Sequence, residues 1–474
     1  MGLVKLNDDQ MQRYISDGYV MLEPGLPAEF HRALFRKTDE VFASEGNPGN
    51  NLLPRIPDVG KVFSDPVVAG ALASILGDDY FMEPHRHCHY NAPGSKGQEL
   101  HKDSFTRRRH RTRLLLAFYY PQETTEDMGP TSIVPGSHYY NTSGGALDGA
   151  EEMLVTMKAG AVAIVNYDIW HRGTANRSDR PRYMMKFLFA RMSEPDAPTW
   201  DTGGHRWADD AGNGHAAMHR HMWDWHGGRT NWNAASDVGG SNGSVSSLAD
   251  TVLNGSEAGA IAAAYGLGDL GSAAVPDLIE LLKDDSGREW WEQKRSSTKG
   301  KGLTSPSANA SYGLSAAGRA AVPALVEAAR DHRWWVRATA AETLGDMGPP
   351  AAASIPALSA LAGDELAQVR TEATHALGTV GQKGSDAVST LARALSDEND
   401  AVRREASMAL ARTGPRAEEA VPELTAALED DDRYVRGNSV HALYRIDAPN
   451  ARDALLDYLM AARWCHSTTK DSTF

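Results

Sequence analysis

Asp331, Asp364, Asp397 and Asp430 stand 33 residues apart, and Val336, Val369, Val402 and Val435 keep the same step. Each of those valines is followed by an arginine, at 337, 370, 403 and 436. Pro323, Pro356 and Pro422 fall on the step as well, with Ser389 in the remaining place. A period of this length is that of a solenoid, in which no unit buries its own apolar face and each stacks on its neighbours. Every unit reads as a proline-led helix, an aspartate turn and an alanine-rich second helix ending near glycine; proline is tolerated in the first helical turn. An earlier unit around Ala273-Ala-Val-Pro276 fits if residues 286–309 are an insertion, since the step from Pro276 to Pro323 is 47. That insertion (Glu289-Trp-Trp-Glu-Gln-Lys-Arg-Ser-Ser-Thr-Lys-Gly-Lys) is read as a loop on one face, either a contact surface or a disordered excursion. The tail, residues 463–474, is read as frayed.

The periodic part spans residues 257–462 of 474, so a chain of this length predicts a separate domain ahead of it. No apolar run approaches the ~18 residues of a membrane span. The start, Met1-Gly-Leu-Val-Lys-Leu-Asn-Asp-Asp, lacks the basic and then apolar plan of a signal peptide. Cys88 and Cys465 give no disulfide framework, which fits a cytoplasmic protein with no membrane partner. Of the net charge of −14, the first 195 residues carry −2 and the remainder −12. An acidic C-terminal half does not suit a phosphate backbone, so no nucleic-acid partner is expected. One basic run, Arg107-Arg-Arg-His-Arg-Thr-Arg113, is either a solvated loop before a strand at 114–120 or an attractor of anionic substrate.

The chemistry lies ahead of the repeats. His101-Lys102-Asp103 is the only place where one of the 17 histidines is followed two residues later by Asp or Glu. On an extended segment both side chains share a face. With a distant third ligand, His171, they would make a two-histidine, one-carboxylate set that leaves open positions on Fe(II). Residues 161–165 and 183–189 read as buried strands. His171 is then expected to close the first and Arg182 to open the second. An arginine there could grip a carboxylate through two parallel bonds.

Four segments together resemble the phytanoyl-CoA dioxygenase family: Leu6-Asn-Asp-Asp-Gln10 with Tyr14-Ile-Ser-Asp-Gly18, then His101-x-Asp103, then Gly129-Pro-Thr-Ser-Ile-Val-Pro-Gly-Ser-His138, then His171 through Asn176-x-Ser178 to Arg182. The resemblance covers residues 1–195. It implies a double-stranded β-helix (jelly roll, cupin-like) with bracing helices, using Fe(II), 2-oxoglutarate as cosubstrate, and O2. It implies His101, Asp103 and His171 as iron ligands and Arg182 as the grip on the distal carboxylate of 2-oxoglutarate. Many members carry Ser two residues after the second His; here Gly173 stands there and Thr174 is the substitute. The carboxylate Asp103 argues against halogenation, since related halogenases replace it with Gly or Ala. The repeats resemble HEAT-like units, in which the Asp and the Arg six residues on form a ladder between successive units. The ankyrin repeat has the same length, but its Thr-Pro-Leu-His signature is absent.

Between these motifs, helices are expected within 7–45 and at 65–76, bracing a sheet from outside. Glu83, His85, His87 and His89 alternate in a predicted strand and would share a face. That row is a hydrogen-bonded wall, a pocket lining or a second metal site. His87, His89, Lys102 and Arg113 are the candidate substrate contacts. Residues 196–256 are rich in Gly, Trp and His; the aromatics argue for an ordered segment packed across domains, and His215, His219 and His221 offer a weak zinc pattern. The chain thus divides into an oxygenase domain (1–195), a connecting segment (196–256), a helical solenoid (257–462) and a tail. The expected activity is hydroxylation of a small polar or anionic metabolite with release of succinate and CO2; desaturation, ring closure and epimerisation are open to the same site. The alternative is a protein-binding scaffold with a sensory or degenerate oxygenase domain, its partner held by the repeats.

Overall fold

A computed structural model of the chain describes residues 2–103, 109–142, 147, 149–207, 214–229, 244–293 and 304–461. Arg107 and Arg108 of the basic run, residues 294–303 of the insertion and the tail lie outside the described residues. The chain forms two compact units. The first comprises Met1–Thr230, Ser241–Leu267 and Asp284–Asn309; the second comprises Asn231–Gly240, Gly268–Lys283 and Ala310–Phe474. Among the described residues no helix is long and apolar enough to cross a membrane.

The first unit opens with helix α1 (Asp8–Asp17). Asn7 and Gln10 cap it reciprocally, each side chain accepting the other's backbone N–H. Gly18, at φ 82°, ends it and turns the chain into strand β1 (Tyr19–Leu22). Helices α2 (Ala28–Glu45), α3 (Leu52–Arg55), α4 (Val59–Phe63) and α5 (Pro66–Leu76) follow. Asp65 caps α5 through the Val67 N–H, with Pro66 in the first turn. Strands β2 (Tyr80–Asn91), β3 (Leu114–Tyr119), β4 (Thr131–Ile133), β5 (Met153–Leu154), β6 (Val162–Asn166), β7 (His171–Gly173) and β8 (Arg182–Arg191) make two antiparallel sheets. The larger runs β1-β6-β3-β8-β2 and the smaller β5-β4-β7. Leu116, Phe118, Val165, Met184 and Leu188 of the larger sheet share a core with Ile133 of the smaller.

Two expectations change here. His171 does not close the strand that ends in β6. An Asn166 turn, its side chain accepting the Asp168 N–H at 3.0 Å, separates them, and His171 opens β7 in the other sheet. The row from Glu83 to His89 is not one face either. Met82 pairs with Phe189 and Arg86 with Phe187, so Glu83, Pro84 and His85 bulge opposite a single residue. Pro84 has no N–H to give the ladder, which suits a bulge.

Strand β8 is buried at all ten positions yet carries Arg182, Lys186 and Arg191. Phe63 packs on Phe187 and Phe189 from the helical side. A buried, unpaired cation costs several kcal/mol, so each of the three needs a partner. Arg191 donates to the Ile75 carbonyl at 2.6 Å and lies over the Trp225 ring. The partners of Lys186 and Arg182 form the site.

Past β8, helix α6 (Ala216–His226) and helix α7 (Val245–Asn254) belong to the first unit, as do residues 257–267 of helix α8 (Glu257–Asp269). Trp200 Nε1 donates to Asp8 of α1 at 2.5 Å, and its ring meets Trp223. The described part of the Trp/His-rich stretch therefore packs on α1 and the end of β8.

The helices that follow are α9 (Val275–Leu282), α10 (Ser286–Gln293), α11 (Pro306–Ala317), α12 (Val322–Ala328), α13 (Trp334–Met347), α14 (Ile355–Leu361), α15 (Ala367–Val380), α16 (Val388–Ala394), α17 (Asp400–Thr413), α18 (Val421–Ala426), α19 (Arg433–Ile446) and α20 (Pro449–Ala461); α10 makes the start of the expected looped insertion helical. Pro323, Pro356 and Pro422 sit in the first turns of α12, α14 and α18. Arg337 Nε donates to Asp364, Arg370 to Asp397 and Arg403 to Asp430, each at 2.7 Å. The same arginines donate to the backbone carbonyl of their own unit's aspartate. Each rung thus ties an arginine to the next unit's aspartate. Asp331, at the start of the ladder, is held by Arg333 instead. A Cβ on Gly345 would stand 2.8 Å from Ala376 Cα, and one on Gly378 2.5 Å from Ala409 Cβ, so glycine sets how closely successive second helices approach.

Candidate metal centre

His101 and His171 form an antiparallel bridge. Each backbone N–H donates to the other's carbonyl, at 2.9 and 2.8 Å. This pairing sets the imidazoles side by side, with ring centroids 4.7 Å apart. In each ring Nδ1 contacts a carbonyl two residues upstream: His101 with Glu99 at 2.8 Å, His171 with Ile169 at 3.0 Å. A carbonyl only accepts, so the proton sits on Nδ1 and the Nε2 lone pair is left free in both rings. Asp103 Oδ2 lies 3.8 Å from His171 Nε2. One ligand atom from each of the three residues lies within 4.8 Å of the others, the only such group among the described residues. Neither the row at His85, His87 and His89 nor His215, His219 and His221 makes a second one.

Lys186 donates to Asp103 Oδ2 at 2.7 Å from the buried face of β8. Burial raises the Asp103 pKa, but the Lys186 ammonium, then His171 and the Lys186 hydrogen bond, outweigh it and hold the carboxyl at about 2. The group is therefore a carboxylate at neutral pH. Burial lowers the His171 pKa against the opposing pull of Asp103, which favours the neutral ligand form.

Arg182 stands four residues from Lys186 on the same face of the strand, roughly 13 Å along it. Its Nε and Nη2 both donate to the Gly129 carbonyl, at 3.1 and 2.7 Å. Its Nη1 is buried and has no hydrogen-bond partner among the described residues. Buried donors are nearly always satisfied, and a carboxylate is the natural complement of a guanidinium edge. Gly129 makes the cradle. At φ 69°, a Cβ there would stand 2.4 Å from Asn91 Nδ2 and 2.6 Å from the Thr174 carbonyl. Asn91 Nδ2 bridges the carbonyls of Gly129 and Thr174, and the Thr174 hydroxyl donates to the Pro130 carbonyl at 2.7 Å. A two-histidine, one-carboxylate donor set and a buried arginine with an unspent N–H fit Fe(II) and 2-oxoglutarate.

The candidate substrate contacts separate. His87 pairs across the ladder with Lys186 and His89 with Met184. Their Nε2 atoms meet at 2.9 Å, so one donates to the other. Burial, then the positive charge of Lys186, pushes His89 down to about 2, and it stays neutral. Lys102 turns away from the ligands; its Nζ donates to Asn141 Oδ1 at 3.2 Å. Arg113 is taken by Glu194, to which Nε and Nη2 donate at 2.6 and 2.9 Å, both side chains buried. An arginine in a buried two-bonded pair is not available to attract substrate. Lys186 and Asn91 were not singled out by sequence reasoning. A lysine inside an otherwise apolar central strand, four residues after Arg182, is the signal that would have found the first; Asn91 had none.

The family model described as phytanoyl-CoA dioxygenase (PhyH) matches residues 14–184. HEAT repeats match residues 308–378, 355–418 and 388–464, and a PBS lyase HEAT-like repeat matches 260–284. Among solved structures, the chain is similar to SnoK, a non-heme alpha ketoglutarate dependent carbocyclase from nogalamycin biosynthesis. The two are 17% identical over 41% of this chain and 88% of that one, with a TM-score of 0.35. It is likewise similar to EctD from S. alaskensis with 2-oxoglutarate and 5-hydroxyectoine, at 17% identity over 42% of this chain and 80% of that one, with a TM-score of 0.36. No curated protein matches the chain.

Proposed function

From a chain that carries a phytanoyl-CoA dioxygenase domain ahead of HEAT repeats, we propose an Fe(II)- and 2-oxoglutarate-dependent dioxygenase that hydroxylates a small polar or anionic metabolite. The observation that carries this is the pairing of two free Nε2 atoms and a carboxylate with a buried arginine that has an unspent donor. His101, Asp103 and His171 hold the iron. Arg182, with Thr174 beside it, holds 2-oxoglutarate by its distal carboxylate. When bound, iron and 2-oxoglutarate supply the oxidising power for C–H hydroxylation, consuming O2 and releasing succinate and CO2. The protein orients them: the Nδ1 contacts fix both imidazole rings, and Lys186 holds the carboxylate between them. His87 and His89, hydrogen-bonded to each other, line the wall toward substrate.

We read the two antiparallel sheets as the layers of a double-stranded β-helix. Residues 1–195 are its domain, 196–256 the connection and 257–462 the solenoid, which offers a surface for a protein partner. The test is succinate release from 2-oxoglutarate by the intact chain with Fe(II) and O2, beside His171→Ala. Release by the first and none by the second is expected even without the true substrate, since such sites turn over slowly uncoupled. Equal release by both would overturn the assignment.

A further inference from the structure

Glu257, the first residue of α8, is buried, and its carboxylate reaches a segment more than a hundred residues away. Oε1 accepts the Asn141 N–H at 2.6 Å; Oε2 accepts the Thr142 N–H at 3.1 Å and the Thr142 hydroxyl at 2.5 Å. The segment so held touches both halves of the candidate metal centre. Asn141 Oδ1 accepts Lys102 Nζ, and Lys102 is the residue between His101 and Asp103. The Tyr140 carbonyl accepts the indole N–H of Trp170 at 3.1 Å, and Trp170 is the residue before His171. Lys102 Nζ also lies over the Trp170 ring, 5.9 Å from its centroid. Eight residues along α8, on the same side of the helix, the Tyr265 hydroxyl contacts His110 Nδ1 at 2.9 Å. The His110 ring packs on Tyr139.

We propose that Glu257 is a positioning residue of the metal centre, acting through residues 140–142 on the backbone that carries all three ligands. The proposal rests on the reading of His101, Asp103 and His171 as ligands. Residues that orient metal ligands without touching the metal typically contribute about 10- to 100-fold in affinity. A carboxylate accepting three hydrogen bonds holds the segment in a way that a glutamine cannot, because one of its two terminal atoms is itself a donor. Glu257 lies beyond residue 184, where the PhyH match ends.

The test is Co(II) titration of the metal-free, full-length chain, read by its visible absorption, for the unaltered protein and for His101→Ala, Glu257→Gln, Glu257→Ala, Lys102→Met and the Glu257→Gln/Lys102→Met pair. Circular dichroism and urea midpoints report folding, and the isosteric Glu257→Gln serves if the alanine variant does not fold. The unaltered chain should bind and His101→Ala should not. Glu257→Gln should bind about tenfold more weakly, with an altered Co(II) band. The double variant should be no weaker than the weaker single one, as expected for residues acting through one contact chain. Unchanged affinity in folded Glu257→Gln, or additive losses in the double variant, would overturn the proposal while leaving the ligand assignment standing. No Co(II) binding by the unaltered chain would sink the ligand assignment and this proposal with it.

Discussion

Arg182 shows how much a single residue can and cannot reveal in a sequence. An arginine opening an apolar strand after His171 is legible as a candidate carboxylate grip, because guanidinium geometry favours two parallel bonds to a carboxylate. How the guanidinium is held was not legible. The Gly129 carbonyl takes two of its donors and Asn91 braces that carbonyl, leaving Nη1 for a ligand. Those contacts come from two strands, β8 and β2, and the loop before β4, and no local pattern encodes them. Lys186 escaped for a related reason: a lysine in a strand normally reads as an exposed edge, and here it faces Asp103. The pairing of Arg113 was not legible either, since its partner Glu194 lies 81 residues away. Arg182→Ala is expected to weaken 2-oxoglutarate binding at least about tenfold, the scale of a lost charged hydrogen bond, while Mn(II) binding stays. Calorimetric titration of 2-oxoglutarate into the Mn(II)-loaded, anaerobic protein measures it. Arg182→Lys should rescue little, because an ammonium cannot keep two bonds to Gly129 and offer a third in plane.

At the scale of elements, the solenoid was the most legible part, because its period repeats the same physics several times over. The prolines mark first turns, and the Asp and Arg steps mark the ladder. The direction of each rung, from an arginine to the next unit's aspartate, needed the structure. Arg370 and Asp397 are nearly buried, so Arg370→Ala is expected to cost about 2 kcal/mol, between an exposed and a buried pair. Urea denaturation should register it as a lower midpoint. The pH dependence has a definite sign. Burial raises the Asp397 pKa, but its bonds to Arg370 and to the Asn399 N–H outweigh this, and the folded value lies below the ordinary one. Such a group stabilises the fold above its unfolded pKa of about 3.9 and loses that contribution as pH falls toward the folded value. The gap between Arg370→Ala and the unaltered chain should therefore be full at neutral pH and narrow below about pH 4. The strands were less legible than the helices. A short strand such as β7 has three residues, too few for a period, and the bulge around Pro84 breaks the one pattern that β2 had.

At the scale of the whole molecule, periodicity marks where repeats begin along the chain but not which unit the first helices pack with. Residues 257–267 of α8 belong to the first unit, and α8 also begins the stretch matched as a HEAT-like repeat. Glu257, the first residue of α8, lies just ahead of that overlap. The central claim, that the chain binds iron and 2-oxoglutarate together at His101, Asp103, His171 and Arg182, is tested most directly by anaerobic titration of the intact protein with Fe(II) and 2-oxoglutarate. The readout is the weak visible charge-transfer band of the chelate. The band should form in the unaltered chain, vanish in His101→Ala and weaken in Arg182→Ala. A folded, unaltered chain that gives no band would contradict the account.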